Sequence, residues 1–186
     1  VRMSSVYNGV YPRPSSGGGG GGSVIIGLED LATLTLENGA TYSDGELTLV
    51  RASSQYAWLP DSDDYDTLGN DMTIEVAFKL NSLPVGSADS DDFAILGKNT
   101  GSTSWIGWII AAKPTGLHIF TNDALVPATS ASTNVAFTWA TGQWYQLSVT
   151  YSNTTNKLIV LIDGVVRLCS TPFNDATNTS YVLNIG

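Results

Sequence analysis

Apolar and polar residues alternate with a period of two along residues 72–80: Ile74, Val76, Phe78 and Leu80 interleave with Thr73, Glu75, Ala77 and Lys79. Successive side chains of a strand point to opposite faces, so this pattern predicts a strand with one buried and one wetter face. Residues 144–151 repeat it, with Tyr145, Leu147, Val149 and Tyr151 on one face and Trp144, Gln146, Ser148 and Thr150 on the other. A polar turn at 152–156 follows, with asparagines that tolerate the left-handed conformation. Residues 158–162 are apolar at every position, which predicts a strand covered on both faces. Asp163-Gly164 fits a two-residue type I′ turn, and 165–169 is the return strand. This run predicts a three-stranded antiparallel meander.

Further strands are predicted at 31–37, 46–52, 56–59, 93–98, 105–112, 116–121, 135–140 and 181–185. No apolar stripe of helical period reaches useful length. Short strands separated by Gly, Asp and Asn turns predict an all-β, antiparallel β-sandwich. It is expected to occupy residues 28–186, a length that suits one domain with a sizeable core.

Residues 1–27 read differently. Tyr7-Asn8-Gly9 and Tyr11-Pro12-Arg13-Pro14 suggest turns and extended chain, and Ser15-Ser16 leads into six glycines at 17–22. One reading is a flexible linker, because Gly/Ser chains behave as random coil. The other is an arm that lies against further copies or other subunits of an assembly, because glycines are expensive to order without neighbours. A phosphate-cradling loop is excluded: no Lys-Ser/Thr follows the glycines.

Charge narrows the partners. Only 13% of residues are charged, against about 25% in an average globular protein. Polarity comes from Ser, Thr and Asn, which suits an extracellular or virion protein. The formal net charge of −9 opposes nucleic-acid binding, which relies on clustered Lys and Arg. No apolar stretch approaches the about 18 residues of a membrane-spanning helix, so no membrane insertion is expected. The single cysteine, Cys169, excludes an intrachain disulfide and reads as a small buried hydrophobe on an apolar strand. No signal peptide is visible, and a chain that opens on Val1 suggests a processed or partial N-terminus.

Four segments together resemble a known family. Residues 52–60 (ASSQYAWLP), 72–80 (MTIEVAFKL), the meander with Trp144, Thr150, Tyr151, Asp163 and Gly164, and 182–186 (VLNIG) are similar in order and spacing to laminin-G-like (LamG) domains of the concanavalin A-like lectin/glucanase superfamily. The resemblance covers about four-fifths of the chain and implies a jelly-roll sandwich. Phe78 stands where that family usually has Trp. The family pattern continues with another strand pair, whereas this sequence stops at Gly186. A fold lacking its final strands would expose an unpaired edge. The expectation is a piece of a longer polypeptide, with a neighbouring subunit filling the gap as the alternative.

Catalytic motifs are sparse. Sugar hydrolysis needs two flanking carboxylates, and the superfamily's hydrolases resemble one another in a Glu-x-Asp-x-x-Glu strand. Glu29, Glu37, Glu46 and Glu75 are the only glutamates and form no such run. The sole histidine, His118, reads as an ordinary strand residue facing solvent or a neighbour, and no Gly-x-Ser-x-Gly elbow exists. Two acidic runs remain, Asp61-Ser62-Asp63-Asp64-Tyr65-Asp66 and Asp89-Ser90-Asp91-Asp92. Clustered carboxylates either make solvated turns or supply the oxygens that calcium takes. LamG-like domains often carry calcium at the sandwich rim, so Asp61, Asp63, Asp64 and Asp66 are the candidate metal ligands. Exposed aromatics that stack on sugar rings are the other candidate surface: Trp105, Trp108 and Tyr56, with Trp105 foremost. Trp58, Trp139 and Trp144 read as framework, since aromatics dominate β-cores.

The sequence therefore predicts no enzyme. It predicts an interaction module on an extracellular assembly, such as a phage or virus surface, fibre or decoration protein, with a structural role or with cell-surface glycans as partners. The alternative is a carbohydrate-binding module of a larger secreted enzyme or adhesin.

Overall fold

The computed structural model describes residues 22–24, 33–43, 46–66, 71–86, 92–99, 107–122, 131–152, 154–170 and 180–186. The N-terminal arm before Gly22, Trp105 and Asp89–Asp91 lie outside the described residues.

Fourteen strands are present among the described residues: β1 (Gly22–Val24), β2 (Thr35–Glu37), β3 (Thr41–Ser43), β4 (Glu46–Thr48), β5 (Tyr56–Leu59), β6 (Met72–Lys79), β7 (Phe93–Asn99), β8 (Gly107–Lys113), β9 (Gly116–Asn122), β10 (Ala131–Ala136), β11 (Trp144–Ser152), β12 (Lys157–Ile162), β13 (Val165–Ser170) and β14 (Leu183–Ile185). One sheet has the order β1-β6-β11-β12-β13, a second β10-β9-β8-β7-β14-β5-β2, and β3-β4 forms a small hairpin. Every pairing is antiparallel except that of β1 with β6. The all-β, antiparallel expectation is met. No helix among the described residues is long and apolar enough to cross a membrane.

The period-two pattern becomes the core directly. Met72, Ile74, Val76 and Phe78 of β6 are buried and pair across the ladder with Tyr151, Val149, Leu147 and Tyr145 of β11. The longer sheet contributes Ala57, Leu59, Ile110, Leu117, Ile119, Leu183 and Ile185 to the same cluster. The apolar faces of the two sheets thus close one continuous core. Tyr145, Trp139, Phe78 and Phe137 pack at one end in edge-on and tilted pairs, with ring centroids 4.6–5.8 Å apart. The Trp139 indole N–H donates to the Lys113 and Gly116 carbonyls at 3.0 and 2.9 Å, which satisfies its one polar group.

The Asp163-Gly164 turn is as expected. Both residues have positive φ, +53° and +75°. The Asp163 carboxylate also accepts the Gln146 N–H at 2.8 Å. Three expectations change. β12 is buried on one face only, because Ile159 and Leu161 sit half-buried on the outer face opposite Leu158, Val160 and Ile162. β13 is an edge strand, so Val165, Val166 and Cys169 are exposed, and the thiol is not a core group. The strand expected at 135–140 spans Ala131–Ala136 instead, because Phe137 and Trp139 leave the ladder to fill the end of the core.

Candidate functional site

An open cleft of ≈ 510 Å³ lies beside the β3–β4 hairpin, where β5, the end of β6, the start of β7 and the end of β14 converge. Its lining joins a floor of Leu47, Leu49, Leu80 and Phe93 to polar walls. Leu47 is fully buried on β4 because that strand's alternation turns it inward, which leaves Glu46 and Thr48 for the other side. Tyr56 is on the wall for the same reason: β5 turns Ala57 and Leu59 into the core and leaves Tyr56 36% exposed.

The cleft contains two cations, each held in place. The Arg51 guanidinium lies 4.6 Å from the Phe93 ring centroid, a cation–π stack at the mouth of the cleft. Arg51 opens a short 3-10 turn that ends on Ser54 at φ +49°. Gln55 braces that turn, its side-chain oxygen accepting the Val50 N–H at 2.8 Å. The Lys79 ammonium is 3.4 Å from Glu46 and 4.9 Å from the Trp144 ring centroid. An aromatic face, two oriented cations and amide and carboxylate groups above an apolar floor suit a ligand with many hydroxyls and one flat apolar face.

Of the aromatics predicted to bind ligand, Tyr56 is the one on this cleft. Trp108 is 5% exposed, and its indole N–H donates to the Tyr65 carbonyl at 3.0 Å. It belongs to the core, because β8 turns it inward together with Ile110 and Ala112. Trp105 lies outside the described residues. Trp139 is buried in the core as expected, whereas Trp58 and Trp144 are half-buried on the outer faces of β5 and β11 and lie outside the core cluster, because those strands turn Ala57 and Leu59, and Tyr145 and Leu147, inward.

The first acidic run surrounds a cation that the chain itself supplies. The Lys98 ammonium, 1% exposed, sits 2.6 Å from Asp61 and 2.7 Å from Asp66 and donates to the Ser62 carbonyl at 3.1 Å. Asp63 is exposed in the 3-10 turn Asp63–Tyr65, which also holds Asp64. No group of three or more potential metal ligands occurs among the described residues. Lys98 is 32 residues from Asp66, so no local pattern joins the two. A cation near the end of an otherwise apolar strand was the available clue.

The second acidic run reaches the structure at Asp92. Its carboxylate borders the cleft and accepts from His118 Nδ1 at 3.0 Å, with Lys113 Nζ 3.6 Å away. His118 is a buried strand residue facing neighbours, and its Nε2 is 2.8 Å from the Ser132 hydroxyl.

No protein-family model and no curated protein sequence matches the chain. Solved structures do. The binding domain of Paraclostridial Mosquitocidal Protein 1 superposes with a TM-score of 0.58 at 12% identity, over 82% of this chain and 37% of that one. The receptor binding domain of botulinum neurotoxin D gives 0.57 at 10%, over 82% and 39%. The botulinum neurotoxin serotype G binding domain gives 0.53 at 13%, over 82% and 36%. At such identities the likeness is one of fold. The chain spans less than two-fifths of the length of these structures. They are toxin binding domains, not laminin-G-like domains, and they overturn the LamG and concanavalin A-like assignment. The motifs that carried it are alternating strands closed by Asn and Asp-Gly turns. Any antiparallel sheet with one buried face demands these features, so they report strand grammar rather than family.

Proposed function

We propose that this chain is a carbohydrate- or receptor-binding module of a larger secreted protein, and that the cleft walled by Tyr56 holds a cell-surface glycan. The carrying observation is the cleft itself: an exposed tyrosine, Arg51 stacked on Phe93, and Lys79 fixed by Glu46, all above an apolar floor. Sugar recognition combines an aromatic face for the ring's C–H side with directed polar groups for its hydroxyls. The fold shared with toxin binding domains supports binding by a module rather than a particle-surface role, and the fraction of those chains that it spans supports a larger parent.

A glycan array with the purified chain tests this reading. Binding to at least one glycan class is expected, and Tyr56→Ala should weaken it about tenfold, or ~1.4 kcal/mol. Val166→Ala, on the exposed β13 edge, should leave it unchanged. Binding that survives Tyr56→Ala intact, or no glycan bound at all, overturns the assignment.

A further inference from the structure

We infer that Ser132, His118 and Asp92 form a nucleophile-activating relay that cleaves small O-acyl esters at the outer face of the longer sheet. The three residues come from three places in the chain: the residue before β7, the middle of β9 and the edge strand β10. β9 turns Leu117 and Ile119 into the core, so His118 projects to the opposite face. Asn134 is its register partner on β10, which places Ser132, two residues away, on that same face.

The geometry assigns the protons. His118 is 7% exposed and the Asp92 side chain 9%. A carboxylate 3.0 Å from Nδ1 holds the imidazole proton there, which leaves the Nε2 lone pair free to accept from the Ser132 hydroxyl at 2.8 Å. Lys113 Nζ, 3.6 Å from the same Asp92 oxygen, gives that carboxylate a second cationic neighbour that helps to hold it in place. Ser132 itself is exposed, as an attacking group must be. A base in hydrogen-bond reach of a hydroxyl, itself oriented by a third group, is the arrangement that activates serine on unrelated folds.

β10 has a partner strand on one side only among the described residues. Alternate backbone N–H groups along such an edge point away from the ladder. Of the consecutive N–H groups of Ser132 and Thr133, one therefore points outward, where it would stabilise a developing oxyanion.

The chemistry balances with water as the co-reactant. Ser132 Oγ bonds to the ester carbonyl carbon while His118 Nε2 takes the hydroxyl proton. The carbon–alkoxide bond then breaks, and the alcohol leaves with that proton. Water, deprotonated by His118, attacks the acyl-serine, releasing the carboxylic acid and restoring the hydroxyl. An ester is favoured over an amide because an alkoxide leaves the tetrahedral carbon more readily than an amine anion. Ser132 and His118 are the catalytic residues, and Asp92 is a positioning residue.

The full chain is treated with a fluorophosphonate probe, and p-nitrophenyl acetate turnover is followed in parallel. The expected result is a single adduct on the peptide containing Ser132, and turnover lost in Ser132→Ala with its melting temperature unchanged. His118→Gln should lower turnover about 10²-fold or more. Asp92→Asn should lower it as well, with Asp92→Glu restoring part of the rate, which a purely structural carboxylate would not do. An unlabelled Ser132, or turnover in Ser132→Ala equal to that of the parent, overturns the inference. Neither readout depends on glycan binding, so this inference and the cleft assignment stand or fall separately.

Discussion

Lys98 shows how a single residue can determine a region's chemistry. Its ammonium is buried between Asp61 and Asp66, and it donates a further hydrogen bond to the Ser62 carbonyl. Removing one partner of a buried ion pair leaves the other charged and unsolvated. Lys98→Met, which keeps most of the aliphatic stem, should therefore destabilise the fold by about 3–5 kcal/mol in denaturant titration. A calcium ion at Asp61, Asp63, Asp64 and Asp66 would have to displace this ammonium from two of its carboxylates. The expected outcome is a melting temperature unchanged by EDTA, and a drop on chelation would show that calcium wins the site. The acidic run was legible in the sequence. Its cation was not, because the two are neighbours only once β7 lies beside the loop after β5.

At the scale of the element, turns and edges decide what each strand does. Gly164 has φ +75° and open space where a side chain would go, so an alanine there meets no clash and pays only the left-handed backbone penalty. Gly164→Ala should lose about 1 kcal/mol by thermal melting. Gly116 differs: an added Cβ would clash with the Val135 carbonyl oxygen, so the β9–β10 ladder itself would have to move. The alternating strands β6 and β11 could be read from sequence nearly to the residue, because burial on one face imposes the period. β12 and β13 could not. An unbroken apolar run does not say which face is covered, and Val165 and Val166 carry no mark of an edge position. β10 ends four residues earlier than expected, since strand ends depend on partners.

The whole molecule has one core shared by two sheets, so the sheets should not melt separately. Trp58 and Trp108 report on the longer sheet and Trp144 on the shorter. Unfolding in guanidinium should give coincident transitions by tryptophan fluorescence and far-UV circular dichroism. Two resolved transitions would mean that the core cluster is not cooperative. The sequence by itself determined the all-β class, the meander, the Asp-Gly turn and the inward faces of β6 and β11, because these follow from short-range periodicity and turn chemistry. It also singled out Tyr56. Only the tertiary structure decided that Trp108 belongs to the core, that Lys98 fills the acidic loop, and that Asp92, His118 and Ser132 meet. Each of those outcomes joins residues far apart in the chain. Sheet order sets such contacts, and no local pattern encodes sheet order, which is also why familiar strand motifs pointed to the wrong family.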